Sequence, residues 1–157
     1  MTKAKISLVL RLLAVGSTAA AIAVMVTSHE TAKVLNLSFD AKYSYTSAFV
    51  YFVIAEAIAG GYSLVSLLLS CKPVFWRLVM MMDVVIAMLL SSSISAAVAI
   101  GEVGKKGNSH AGWLPICGQV PKFCDQLTGA LIAGFVAAAI YLVLLLCSLR
   151  SLFALKP

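Results

Sequence analysis

The chain has 157 residues, 62% of them hydrophobic and 11% charged, with a mean hydropathy of +1.02 and a formal net charge of +6. A soluble domain carries about 25% charged residues, so composition argues against a soluble globular enzyme. It also argues against a nucleic-acid-binding module, because no soluble folded part exists to carry a basic face; the positive excess fits anionic lipid at a membrane surface instead.

A bilayer core of about 30 Å needs about 20 apolar helical residues. Four runs qualify, at 6–27, 47–70, 78–100 and 127–148. None has the alternating polarity of membrane-barrel strands. The expectation is an all-α membrane protein, a single four-helix domain over 1–157, with outer loops at 28–46 and 101–126.

The first run follows Lys3 and Lys5. Its length and the presence of Arg11 disfavour a cleaved signal peptide and favour a retained helix. Arg11 is costly at membrane depth unless paired. The first loop, "SHETAKVLNLSFDAKYSYT", has Val34, Leu35, Leu37 and Phe39 close to alternation, which is compatible with a short strand. Asn36-Leu37-Ser38 within it is an N-glycosylation sequon.

The second run holds Glu56 near mid-bilayer, where no basic residue shares its depth. Protonation, a bond to Tyr62 or serines, or a neighbouring subunit are the open answers. The following turn, "CKPVFWR", has Pro73 to break the helix and Phe75 and Trp76 for the interfacial aromatic belt. Cys71 here and Cys147 at the end of the fourth run are juxtamembrane candidates for S-palmitoylation, or simply small apolar residues.

The third run, "RLVMMMDVVIAMLLSSS", encloses Asp83. At about 1.5 Å rise per residue, Asp83 lies about 9 Å and Arg11 about 7 Å in from the same side. The matched depths predict an Arg11–Asp83 ion pair between the first and third helices, with the Arg fork meeting the carboxylate bidentately. Helix locking is preferred to an ion relay, since one matched pair is not a pathway.

The second outer loop is glycine-rich at first and then carries Trp113, Cys117, Phe123 and Cys124. On an extracytoplasmic side, Cys117 and Cys124 are expected to form a disulfide rather than two free thiols. It would staple a loop bearing Trp113 and Phe123 as contact residues. Small residues four apart, Gly16/Ala20, Ala57/Gly61, Ser91/Ser95 and Ala130/Gly134/Ala138, allow close helix approach within the bundle or between copies.

Four spans place both termini on one side. Lys3, Lys5, Lys72, Arg77, Arg150 and Lys156 cluster there without acids, whereas Glu30, Asp40, Glu102 and Asp125 dilute the five lysines opposite. The bias favours cytosolic termini. No catalytic set, cofactor motif or metal cluster is legible. His29 and His110 fall in outer loops, the Cys117–Cys124 gap is too wide for a CxxC pair, and "GEVGKKGNS" lacks P-loop spacing.

Taken with Arg11 and Asp83, the segments "YSYTSAFVYFVIAEAIAGGYSLVSL", "AGWLPICGQVPKFCDQ" and "GALIAGFVAAAIYLVLLLCSL" resemble the plant CASP-like proteins, relatives of the Casparian strip membrane domain proteins and distantly of MARVEL proteins. The resemblance covers nearly the whole chain. It implies a multi-pass plasma-membrane scaffold with cytosolic termini that forms homo-oligomers and hetero-oligomers with related proteins. Among the Casparian members it also implies recruitment of extracellular cell-wall enzymes. The first outer loop departs from the acidic, aromatic signature of the strip-forming members. Glu56 stands where a neutral polar residue such as Asn is expected. The competing expectation is a small ion or proton channel, motivated by Glu56 and Asp83.

Overall fold

The computed structural model describes residues 2–34, 37–69 and 76–153. Four long helices account for most of them: α1 (Thr2–Thr27), α2 (Ser47–Leu69), α3 (Trp76–Lys106) and α4 (Pro121–Phe153). All four are long and apolar enough to cross a membrane. Each runs antiparallel to the one before. α1 packs on α2 and α4, and α3 packs on α2 and α4, giving a square bundle.

Side chains sort by size and polarity. The interior takes Ala14, Ala21, Phe52, Ala59, Leu90, Ala97, Ala130 and Ala137. Alanines let the backbones approach closely, which is how membrane helices gain packing without a hydrophobic drive between them. The outside carries Leu8, Leu12, Leu13, Ile54, Ile58, Leu68, Met81, Met88, Ile132 and Phe135. Such a surface would aggregate in water, and in a bilayer it meets acyl chains.

The first loop folds as a hairpin. Strands β1 (His29–Val34) and β2 (Leu37–Lys42) pair antiparallel, from His29 opposite Lys42 to Val34 opposite Leu37. The alternation at 34–39 therefore spans the reversal between two strands and is not one continuous strand. The Thr31 hydroxyl donates to Asp40 Oδ1 across the pair at 2.7 Å. Asn36 and Cys71, the glycosylation and one palmitoylation candidate, lie outside the described residues, as do Pro73 and Phe75.

The second outer loop is shorter than expected. α3 continues past Ile100 to Lys106, and α4 starts at Pro121, leaving 107–120 as the connection. Hydropathy marks where the apolar run ends, not where the helix ends. Beyond Ile100 the helix is carried by Glu102 and Lys106, paired at 2.8 Å one turn apart. It stops at Gly107, whose φ of 68° is the left-handed conformation favoured just past a helix C-terminus. A Cβ there would lie 2.6 Å from the Trp113 carbonyl oxygen. Asn108 pairs with Trp113 in a short bridge, and its side chain accepts from the backbone N–H groups of His110 and Ala111. Pro121 opens α4, the first-turn position where its missing N–H costs nothing.

Candidate functional site

The membrane-spanning segments contain a polar layer that touches all four helices. Arg11 of α1 is 3% exposed and Asp83 of α3 is fully buried. Arg11 Nη2 donates to Asp83 Oδ2 at 3.0 Å and to Oδ1 at 3.2 Å. The arrangement is not the expected fork: Nη1 is taken by Ser66 Oγ of α2, at 2.7 Å. One guanidinium thus ties α1 to both α2 and α3.

The rest follows by counting protons. Ser66 donates to the Ser63 carbonyl at 2.8 Å, and its oxygen accepts from Arg11. The Tyr62 hydroxyl lies 2.8 Å from Asp83 Oδ1 and 2.7 Å from the Val79 carbonyl. With one proton for two acceptors, the charged carboxylate is the stronger partner. The Arg11 guanidinium also sits 5.6 Å from the Tyr62 ring centroid, within cation–π range. On α4, the Tyr141 hydroxyl donates to the Ala59 carbonyl at 2.5 Å, which leaves Ser63 as donor in the 2.6 Å Ser63–Tyr141 bond.

The two diagonals of the square are therefore crossed by polar contacts at one level, α1–α3 by Arg11–Asp83 and α2–α4 by Ser63–Tyr141. Sequence reasoning paired Arg11 with Asp83 by depth but missed Ser63, Ser66 and Tyr141. A signal existed: α4 has a single tyrosine inside its apolar run, and a buried Tyr hydroxyl needs a partner.

Glu56 lies outside this network. It sits about 10 Å along α2 from Ser63, and it is fully buried. It points at α4, where a Cβ on Gly134 would meet Glu56 Oε1 and Phe52 Cε2 at 2.8 Å each. Neither carboxylate oxygen has a hydrogen-bond partner among the described residues. Tyr62, one expected partner, is committed to Asp83. Gly134 supplies the space in which the carboxyl fits, inside one chain rather than against a neighbouring copy.

At the loop end, Cys117 and Cys124 form a disulfide with Cα atoms 5.7 Å apart. It joins the loop to the first turn of α4. The Ile116 and Cys117 N–H groups both donate to the Gly104 carbonyl, fixing the loop to α3 as well. Trp113 is exposed, but Phe123 is buried, edge-on to Phe49 of α2 with centroids 6.2 Å apart. Phe123 was expected as an outer-loop contact residue. The early start of α4 turns it inward and makes it core. Its N–H donates to Glu30 Oε2 of β1 at 3.0 Å, so the hairpin caps α4 with a carboxylate. That placement suits the positive end of the helix dipole. Cys147 is exposed near the end of α4.

The small-residue pairs divide cleanly. Ala130 and Gly134 are buried and Ala138 half-buried inside the bundle, whereas Gly16/Ala20, Ala57/Gly61 and Ser91/Ser95 are exposed on its outside. Among the described residues, no group of three or more His, Cys, Asp or Glu side chains is placed to hold a metal.

A four-helix membrane bundle with an Arg–Asp pair across its first and third helices and a disulfide-bridged loop between the third and fourth defines the class. The Casparian strip membrane protein domain matches residues 1–140. The chain is 69% identical over 140 residues to CASP-like protein 1C3 of Populus trichocarpa, covering 89% of this chain and 86% of that one. It is 60% identical over 152 residues to CASP-like protein 1C1 of Vitis vinifera, covering 97% and 96%. To CASP-like protein 1C1 of Arabidopsis thaliana it is 56% identical over 151 residues, covering 96% and 92%. The chain belongs to the CASP-like family of membrane proteins. No solved structure matches it significantly.

Proposed function

We propose that the protein is a non-enzymatic plasma-membrane scaffold, with cytosolic termini, that self-associates to organise a membrane domain. The observation that carries this reading is the division of small residues. The bundle packs Ala130, Gly134 and Ala138 inside, yet keeps Gly16/Ala20, Ala57/Gly61 and Ser91/Ser95 on its lipid-facing outside. Small residues four apart let a second helix approach closely, and Ser hydroxyls add interhelical hydrogen bonds. Related family members would serve as well as identical copies. The exposed Trp113 on the disulfide-tied loop is the surface offered to extracellular partners, cell-wall enzymes among them. Slow lateral diffusion and large detergent-stable assemblies, without ion flux, are the expected behaviour. Freely diffusing monomers would refute it.

A small ion or proton channel is the second reading. What favours it is Glu56, an acid at mid-bilayer whose two oxygens lack partners. Its full burial and its packing against Phe52 and Gly134 oppose it. Flux through reconstituted vesicles that disappears in Glu56→Gln would establish the channel.

A further inference from the structure

A cavity of about 430 Å³ opens at the loop end of the bundle, between the hairpin, the disulfide loop and the outer ends of α2, α3 and α4. Its volume falls in the range of small-ligand sites, about 300–1,000 Å³. Its floor is apolar: Phe49, Phe123 and Leu127. Its rim is polar: Asp40, Lys42, Tyr45 and Gln119.

Three observations say what fits. First, the floor lies where the apolar run of α3 ends at Ile100, the depth at which a bilayer passes from acyl chain to headgroup. Second, one side of the cavity opens onto exposed apolar surface, since Ile100, Leu114 and Ile116 line it and are themselves exposed. Third, Asp40 Oδ2 and Lys42 Nζ stand 3.7 Å apart, each about half exposed. One anion beside one cation, both reachable from solvent, complements a ligand head carrying both signs. We propose that the cavity binds one zwitterionic phospholipid from the leaflet on the loop side. Its acyl chain lies against Phe49, Phe123 and Leu127, its phosphate meets Lys42, and its amine meets Asp40. Lipid capture here needs no self-association, so this reading and the scaffold reading fail separately.

The test uses the full chain in nanodiscs of phosphatidylcholine with a photoreactive diazirine on the acyl chain. Val26 and Ile132, exposed on α1 and α4, are the bulk-lipid controls. Labelling at Phe49, Phe123 and Leu127 should exceed the controls by about tenfold, the ratio that about 1.4 kcal/mol of preference for the cavity over bulk lipid gives. It should saturate at one lipid per chain. Ala41→Trp, which fills the cavity from β2, should lower cavity labelling to the control level while the melting temperature and disulfide are retained. Lys42→Glu should weaken phosphatidylcholine retention about threefold to fivefold, as loss of an exposed charge contact does. Equal labelling at cavity and control residues in the unaltered protein overturns the site, whatever the variants do. Tighter retention of phosphatidylglycerol than phosphatidylcholine overturns the zwitterionic assignment.

Discussion

Arg11 bonds both oxygens of Asp83 through one nitrogen and spends the other on Ser66, so a single guanidinium joins three helices inside the membrane. Removing one partner strands the other charge in low dielectric. Breaking such a pair costs about 3–5 kcal/mol, whereas replacing both partners by apolar residues is often neutral. Asp83→Asn or Arg11→Leu should therefore lower the melting temperature sharply and reduce the amount of folded protein recovered from the membrane. The double variant Arg11→Leu/Asp83→Leu should recover much of the loss. Thermal melts in one detergent compare all three; a double variant no better than the worse single would contradict the pair.

Glu56 calls for the opposite outcome. Its carboxyl is buried without a partner, and an unsatisfied buried polar group costs about 1–3 kcal/mol. Glu56→Met, of similar length, should leave the melting temperature unchanged or raise it. Gly134→Ala should lower it, because the added methyl meets Glu56 and Phe52 at 2.8 Å. Combining the two should soften the glycine defect. Strong destabilisation by Glu56→Met alone would show that the carboxyl has a partner.

One carboxylate ties the hairpin to α4, beside the apolar packing of Ala32 and Ala41 on the core. Glu30 Oε2 accepts from the Phe123 N–H at the start of α4. Capping interactions of this kind are worth about 1 kcal/mol. Glu30→Ala should speed amide exchange at Phe123 and through β1, and leave the helix centres protected. Unchanged exchange at Phe123 would remove the cap from the account.

The disulfide closes a short loop, for which the chain-entropy relation gives about 2 kcal/mol. Reduction, or Cys117→Ser, should loosen residues 107–120 and the first turn of α4. Because the polar layer lies at the other end of the bundle, the four helices should persist. Amide exchange by segment checks this, and global unfolding on reduction would contradict it.

The polar layer was partly legible in the sequence because helical rise converts position into depth, and charges in an apolar run are few. Arg11 and Asp83 could be matched that way. Ser63, Ser66 and Tyr141 could not, since depth says nothing about which face of a helix a hydroxyl takes. The four helices were visible as apolar runs, but the outer ends of α3 and α4 were not. There the helix continues through Glu102, Lys106 and Lys122, residues that hydropathy assigns to a loop. Phe123 was misread for the same reason. The hairpin was half visible, as alternation without its reversal.

Self-association is the central claim, and the outward glycines allow it to be separated from folding. A Cβ added at Gly16 or Gly61 would meet nothing within 4 Å. Leucine at both positions should therefore leave the bundle intact while blocking close approach of a second copy. The direct measurement is photobleaching step counting of single labelled particles in a dilute reconstituted bilayer. Expected are several steps per particle for the unaltered chain and mostly single steps for Gly16→Leu/Gly61→Leu at equal melting temperature. Single steps from the unaltered chain at every density would contradict the scaffold.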